Sequence, residues 1–316
     1  MKNKYLFRFI PTMCCNFNCD YCFLGDSSKR DRDNMFKHHS AKEWIEGMNN
    51  FSDNEIEIYM WGGEPFLLKD TYKVLKEWLA MDCVTSGCRI DTNLWFADKI
   101  AKLCPSSKLK LNCSYHMQYH TLDQEFDKVK KLKDLDMVGM VNFVASPSNM
   151  RTLKNEYGMT VFDLIEKFEK IGVFLNVAGD FAIANNKNYP RHQEYMNFIL
   201  QFISPEEWSF LRGKNEASLC SASQKFFWIQ YDGSIKSCYD DTIYGNFFDG
   251  DFRPSVEPKI CNKICQSLIS YPFRQDNSFI PWQSLLQYVE RCKKHRNFMQ
   301  EKLNFDFDSD INLIKK

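Results

Sequence analysis

Short stretches rich in β-branched and aromatic residues alternate along this chain with longer stretches typical of helices. Six such pairs precede residue 205, from a first strand predicted at residues 5–10 to a sixth predicted at residues 174–183. This alternation predicts an α/β fold, in which right-handed crossover helices join the strands of a parallel sheet. A closed eight-unit barrel needs about 250 residues, so we expect a partial (β/α)6 barrel over residues 1–205.

The predicted strands place polar side chains on one face and apolar side chains on the other. The polar set is Glu55, Glu57, Tyr59, Trp61, Arg89, Asp91, Asn93, Asn112, Ser114, His116, Asn142, Ser146, Asn176 and Asp180. A parallel strand that is buried on both faces is nearly all apolar. The polar face therefore predicts a lumen with an active site at the carboxyl ends of the strands. An edge strand or a different register would give the same alternation.

Four of the 13 cysteines lie within nine residues, shortly after the first predicted strand. Cys15, Cys19 and Cys22 have C-x3-C-x2-C spacing, and the N-terminal residues do not resemble a signal peptide, which favours thiolate ligands over disulfides. Three thiolates on a 4Fe-4S cluster leave one iron open to a small molecule. Cys14 is expected to pack, because adjacent side chains in an extended loop diverge. A zinc site is the alternative, but no nearby Cys or His completes a tetrahedral set.

A second motif, WGGEP at residues 61–65, ends the second predicted strand. Together with the cysteine triplet and the aromatic Tyr21 inside it, this motif resembles the radical S-adenosylmethionine (SAM) superfamily. The resemblance implies that the backbone and the carboxylate of the GGEP element hold the amino group of SAM. The residues of this element are Gly62, Gly63, Glu64 and Pro65.

The resemblance also implies a chemistry. One electron from the reduced cluster cleaves SAM, and the resulting 5′-deoxyadenosyl radical removes a hydrogen atom from a substrate. Reduced flavodoxin or ferredoxin is the expected electron donor. The backbone around Tyr21 and polar groups on later strands would meet adenine and ribose, with Ser114, Asn142 and Ser146 as candidates. Each of these three is alternatively an internal hydrogen-bonding group.

A second group of cysteines surrounds a predicted hairpin with an Asp-Gly turn. Its members are Cys220, Cys238, Cys261 and Cys265. Residues 206–280 resemble the SPASM/twitch extension of radical SAM enzymes, which implies one auxiliary 4Fe-4S cluster. The closing pair has C-x3-C spacing instead of the usual C-x2-C, and a zinc ribbon made of the same cysteines is the alternative. Residues 281–316 are predicted to form a C-terminal helix and a tail.

Several residues of the predicted lumen are candidates for exchanging a proton with a substrate hydroxyl. They are Asp91, His116, His120 and Asp180, and Arg8 and Arg89 are expected to neutralise the acids. Buried charge pairing is the alternative role of each. Twitch-type relatives oxidise or epimerise sugars and aminocyclitols, or modify ribosomal peptides. Because the chain begins at the first strand, we expect no N-terminal peptide-recognition domain. That favours a small hydroxylated substrate, with a peptide maturase as the alternative.

Charge and hydropathy argue against a nucleic-acid-binding protein and against a membrane protein. Lys and Arg together number 41, as do Asp and Glu, so the formal net charge is zero, and no basic excess indicates nucleic acid or a membrane surface. No stretch reaches the roughly 18 uncharged apolar residues of a membrane span, so we expect a soluble, cytoplasmic protein. A non-catalytic iron–sulfur or zinc protein is the alternative of another class. The GGEP motif and the six-unit barrel argue against it.

Overall fold

The fold is mixed α/β, and the structure, a computed structural model, describes residues 2–85, 87–103, 107–203, 218–238, 241–261, 289–290 and 292–297. Its strands are β1 (Lys4–Phe9), β2 (Glu55–Met60), β3 (Cys88–Thr92), β4 (Leu109–Tyr115), β5 (Val138–Ala145), β6 (Leu175–Gly179), β7 (Ser218–Cys220), β8 (Phe226–Ile229), β9 (Ser234–Lys236), β10 (Ile243–Asn246) and β11 (Lys259–Cys261). Its α-helices are α1 (Met35–His38), α2 (Ala41–Gly47), α3 (Lys69–Ala80), α4 (Ala97–Ile100), α5 (Leu122–Asp134), α6 (Pro147–Tyr157), α7 (Val161–Glu169), α8 (Phe181–Asn185), α9 (His192–Ile199) and α10 (Ala222–Lys225). None of these described helices has the length and apolar character that crossing a membrane requires.

Nine of the described strands form one sheet in the order β10-β9-β8-β1-β2-β3-β4-β5-β6. Strands β1 to β6 are parallel neighbours in chain order, which is the arrangement that successive strand–helix units produce. The predicted partial (β/α)6 barrel is therefore confirmed. Strands β7 and β11 pair separately as an antiparallel ribbon.

The predicted hairpin is formed by β8 and β9, and it belongs to the same sheet as the barrel strands. Gly233 has φ of +82° at its turn, a conformation that glycine adopts without strain. Strand β8 pairs in parallel with β1, from Leu6 opposite Phe226 to Phe9 opposite Ile229. The sheet thus continues into the region predicted as an extension, and the predicted domain boundaries stay predictions. Of the predicted C-terminal helix, residues 289–290 and 292–297 are helical, and the rest lies outside the described residues.

The main core lies between the apolar face of the sheet and the helices that cover it. Ile56 of β2 and Val141 of β5 are fully buried, as the alternation predicts. Phe9 of β1 packs on Trp78 of α3 with ring centroids 4.8 Å apart, and Phe247 lies 5.8 Å from Phe9. Each such side chain contributes about 1.5–3 kcal/mol by burial. This packing fixes which face of the sheet carries the polar groups.

Two residues predicted for the polar face begin helices instead. Strand β6 ends at Gly179, so the predicted strand extension to residue 183 is wrong. Asp180 accepts a hydrogen bond from the Ala182 N–H at 2.9 Å and caps α8. Ser146 caps α6 by accepting from the Asn149 N–H at 3.2 Å. Asp and Ser are favoured at helix N-caps because their oxygen satisfies an otherwise unpaired N–H.

Candidate active site

A cavity of about 220 Å³ opens at the carboxyl ends of β1 to β5. Segments that follow several different strands build its wall, as expected for a site at this end of a parallel barrel. Its wall includes Cys15, Cys19, Cys22, Tyr21, Gly62, Gly63, Asp91, Asn112, Ser114, His116 and Asn142. The structure therefore brings together the cysteine triplet, half of the GGEP element and half of the residues predicted for the polar face.

The three thiols of the triplet share this cavity and influence one another. Burial, followed by the neighbouring thiols of Cys22 and Cys15, raises the pKa of Cys19 to about 12. Burial also raises the pKa of Cys15. A bound metal ion favours the thiolate form instead, because a coordinating thiol is deprotonated outright. Cys15 and Cys19, which are hard to ionise in the metal-free chain, are thus suited to a strongly cationic partner.

Cys14 takes a different direction from the triplet. Its thiol lies 3.7 Å from the carbonyl oxygen of Asp31, and its own carbonyl accepts from the Glu64 N–H at 2.8 Å. Its N–H donates to Thr12 Oγ1 at 3.0 Å. These contacts are those of a structural residue that fastens the loop to the end of β2.

The two glycines of the GGEP element permit the cysteine loop to lie against the end of β2. Gly62 has φ of +140°, and a Cβ there would lie 2.4 Å from the carbonyl oxygen of Thr12. A Cβ on Gly63 would lie 1.9 Å from the carbonyl oxygen of Cys14. Both distances are far shorter than any contact that a Cβ atom makes in a folded protein. The glycines are therefore needed for contact within the protein, in addition to the predicted approach to a ligand.

Glu64 ties the end of β2 to the end of β3. Its carboxylate accepts from the Phe66 N–H at 3.0 Å, from Thr92 Oγ1 at 3.0 Å and from the Asn93 N–H at 2.8 Å. The residue is 1% exposed, and burial raises its pKa to about 7. Pro65 begins the short 3-10 helix Pro65–Leu67. The predicted contact of Glu64 and Pro65 with the amino group of SAM stays a prediction.

Asp91 accepts hydrogen bonds from three side chains in the lumen. It accepts from Tyr59 OH at 2.9 Å, from Arg89 Nε at 2.9 Å and from Asn112 Nδ2 at 3.0 Å. The predicted neutralisation of an acid by Arg89 is thus present as an ion pair. The other predicted partner, Arg8, stacks between the rings of Trp61 and Trp228.

His116 connects the cysteine loop to β4. Its Nδ1 lies 2.9 Å from Tyr21 OH and 3.3 Å from Cys19 Sγ. Burial, followed by the nearby His120, lowers the pKa of His116 to about 4. The imidazole is therefore neutral near pH 7, so it can hold a proton on one nitrogen and accept one on the other.

The remaining predicted residues divide between the cavity and the scaffold. Ser114 and Asn142 line the cavity, and Asn142 Oδ1 accepts from Asn176 Nδ2 at 2.6 Å. His120 is buried against Glu125, with Nδ1 to Oε2 at 2.8 Å. Like the helix caps Asp180 and Ser146, His120 does not form part of the cavity wall. A proton-transfer role for Asp91, His116 or Asp180 stays a prediction.

Three members of the second cysteine group meet beside β1. Cys220 at the end of β7 belongs to a small apolar cluster with Leu6 and Tyr59, and Cys238 and Cys261 pack against that cluster. Cys238 has φ of +37°, an unusual conformation for a residue with a side chain. Cys265 lies outside the described residues. Within the described ranges, no three His, Cys, Asp or Glu side chains are grouped closely enough to hold a single metal ion.

Sequence reasoning missed Arg30, which lines the cavity and donates from Nη2 to Cys22 Sγ at 3.0 Å. It also missed Phe17, whose N–H donates to Cys15 Sγ at 3.4 Å. Arg30 lies in a polar stretch without periodicity, so no pattern in the sequence distinguishes it from the surface residues around it. Only the folded loop brings its guanidinium to the thiol.

The site thus combines three thiols and a glycine pair at the strand ends of an open parallel barrel. Residues 9–140 match the family model of the Radical SAM superfamily. Over 219 residues the chain is 25% identical to the uncharacterized protein MJ0907 of Methanocaldococcus jannaschii, a match that covers 65% of this chain and 62% of that protein.

Solved structures show the same fold. Native anSMEcpe with bound AdoMet matches with a TM-score of 0.54 at 15% identity, covering 98% of this chain and 99% of anSMEcpe. SuiB of Streptococcus suis bound to S-adenosylmethionine matches with a TM-score of 0.50 at 16% identity, covering 78% of this chain and 64% of SuiB. The matched part is thus less than two thirds of SuiB and of MJ0907.

Proposed function

We propose that this chain is a radical SAM enzyme. It binds a 4Fe-4S cluster through Cys15, Cys19 and Cys22, cleaves SAM reductively and abstracts a hydrogen atom from a substrate. The observation that carries this proposal is the cavity in which the three thiols meet Gly62 and Gly63. A thiolate set with three members leaves one iron for SAM.

The residues of the cavity fit both a 4Fe-4S cluster and SAM. Thiolates are the ligands that iron–sulfur clusters use. Asn112 Oδ1 and Trp61 Nε1 are buried in the cavity wall without a hydrogen-bond partner among the described residues. Unsatisfied buried polar atoms are costly unless a ligand or water meets them. When bound, the cluster supplies one electron to SAM, which yields methionine and the 5′-deoxyadenosyl radical.

The residues of the chain bind and orient SAM and exclude water from the cavity. The backbone of Gly62 and Gly63 lies open to the cavity for the amino group of SAM, while Glu64 holds the strand ends in place. Ser114 and Asn142 offer a hydroxyl and an amide to adenine or ribose. Partial burial of these groups strengthens their hydrogen bonds and limits the access of water to a reactive radical. Reduced flavodoxin or ferredoxin supplies the electron.

The second cysteine group is proposed to hold an auxiliary 4Fe-4S cluster, with Cys265 as the fourth ligand. Its proximity to the cavity supports this role, because Trp61 both lines the cavity and packs against the apolar cluster that contains Cys220. A substrate radical that loses a proton can pass its electron to such a cluster, which gives net oxidation. A thiol that returns a hydrogen atom to the opposite face gives epimerisation instead.

The polar lumen supports a small hydroxylated substrate such as a sugar or aminocyclitol. Asp91, Asn112 and Ser114 line the cavity and offer acceptors and donors for hydroxyl groups. A second candidate is a peptide, and the observation that favours it is an aromatic rim. Phe23 is 64% exposed, Phe181 is 54% exposed, and the Phe23 ring lies 6.4 Å from Phe181.

Anaerobic reconstitution with iron and sulfide, followed by SAM and dithionite, tests the proposed function. The expected product is 5′-deoxyadenosine, whose yield rises when the correct substrate is added. Parallel incubations with aminocyclitols and with aromatic peptides separate the two substrate candidates. A chain that takes up iron and yet forms no 5′-deoxyadenosine under any of these conditions contradicts the proposal.

A further inference from the structure

One thiol of the triplet is hydrogen-bonded by a permanently charged side chain. Arg30 donates from Nη2 to Cys22 Sγ at 3.0 Å and to the carbonyl oxygen of Gly25 at 2.6 Å. Its Nε–H is buried and has no partner in the part of the chain that the structure describes. A guanidinium keeps its proton in proteins. A full positive charge and an unused donor therefore lie beside the cysteine triplet.

The side-chain partners of the other two thiols are an amide and an imidazole. Asn93 Nδ2 lies 3.7 Å from Cys15 Sγ, and His116 Nδ1 lies 3.3 Å from Cys19 Sγ. Of the three partners, Arg30 is the one whose positive charge is permanent.

Building on the proposed function, we propose that Arg30 is a positioning residue that raises the reduction potential of the SAM-cleaving cluster through its hydrogen bond to Cys22. Reduction adds one electron, and hence one negative charge, to the cluster. Net charge and hydrogen bonds to the sulfurs set the potential of such clusters, and hydrogen bonds between ionised partners are about twice as strong as neutral ones. Arg30 therefore stabilises the reduced state more than the oxidised state, and reduction by flavodoxin or ferredoxin becomes easier.

The chain offers a matched control for this proposal. Arg32 carries the same charge two residues further along and is exposed. Wild type, Arg30→Gln, Arg30→Lys and Arg32→Gln are reconstituted as full chains, and their iron content is measured. Reduction potentials follow from anaerobic redox titration monitored by electron paramagnetic resonance. The signal of the SAM-binding cluster is assigned by its change when SAM is added.

We expect Arg30→Gln to disfavour reduction at least tenfold, which is about 59 mV for a one-electron couple. Arg30→Lys keeps the charge and should shift the potential by less than half as much, and Arg32→Gln should match the wild type. A wild-type potential in Arg30→Gln, equal shifts in both Arg30 variants, or loss of iron from Arg30→Gln alone would each overturn the proposal. A wild-type chain that binds no iron or forms no 5′-deoxyadenosine contradicts the proposed function instead.

Discussion

Gly63 lies where the end of β2 meets the cysteine loop, and a single methyl group there tests the geometry of the site. A Cβ at this position would lie 1.9 Å from the carbonyl oxygen of Cys14 and 2.5 Å from that of Met13. Ordinary contact begins at 3.4 Å, so Gly63→Ala must move the loop by roughly 1.5 Å, because dispersion contacts turn strongly repulsive at shorter range. The φ of Gly63 is not positive, so the effect is steric.

The displaced loop would lose two backbone hydrogen bonds. The Gly63 N–H donates to the carbonyl of Thr12 at 2.9 Å, and the Glu64 N–H donates to that of Cys14 at 2.8 Å. Each contributes about 1 kcal/mol, and overpacking costs about 1–3 kcal/mol more. We therefore expect Gly63→Ala to lower the free energy of unfolding of the metal-free chain by about 3–5 kcal/mol.

Urea unfolding followed by circular dichroism measures this loss, and iron content after reconstitution reports whether the thiols still meet. Gly179→Ala is the control, because its Cβ would approach Ile199 no closer than 3.3 Å and cost about 1 kcal/mol. A Gly63→Ala chain with wild-type stability and full iron content would refute the reasoning that the glycine is required by the Cys14 carbonyl.

Two further predictions concern the buried acid and the second cysteine group. Burial raises the pKa of Glu64 to about 7 from a model-peptide value of 4.5, so folding favours its protonated form. Stability from this group is present below pH 4.5 and is lost as the pH rises to 7, by about 3 kcal/mol. Urea titrations across this range should show the decline in wild type and not in Glu64→Gln; the same slope in both would exclude Glu64 as its source. Separately, the wild type should hold about eight irons and the Cys15/Cys19/Cys22→Ala chain about four, whereas zinc without iron in that variant would favour the zinc-ribbon alternative.

The strands and the polar lumen could be predicted because alternation is a local property. Ile56 and Asp91 reveal the face of their strands through their immediate neighbours, and the order of parallel strands follows from the strand–helix alternation. The end of β6 could not be located in this way. The residues after Gly179 have the composition of a strand, and only the capping bond of Asp180 to the backbone begins α8 there.

The contacts among the site residues depended on tertiary structure. The GGEP motif predicted Gly63 and Glu64 as site residues. The contacts of Gly63 with Cys14 and of Glu64 with the end of β3 could not be predicted, because they depend on which loops meet. Arg30 gave no sequence signal at all, because its partner Cys22 is reached by a turn of the loop and not by helical or strand spacing. Close approach and charge placement of this kind arise from the packing of loops, which single-sequence patterns do not encode.

The most direct test of the central claim is anaerobic formation of 5′-deoxyadenosine from SAM and dithionite by chains that differ in one thiol. Wild type and Cys14→Ala should both form it, because the Cys14 thiol contacts the Asp31 carbonyl outside the triplet. Changing Cys15, Cys19 or Cys22 to Ala should abolish it, because each is proposed to supply one of three cluster ligands. Undiminished 5′-deoxyadenosine from the chain that lacks all three thiols would contradict the account.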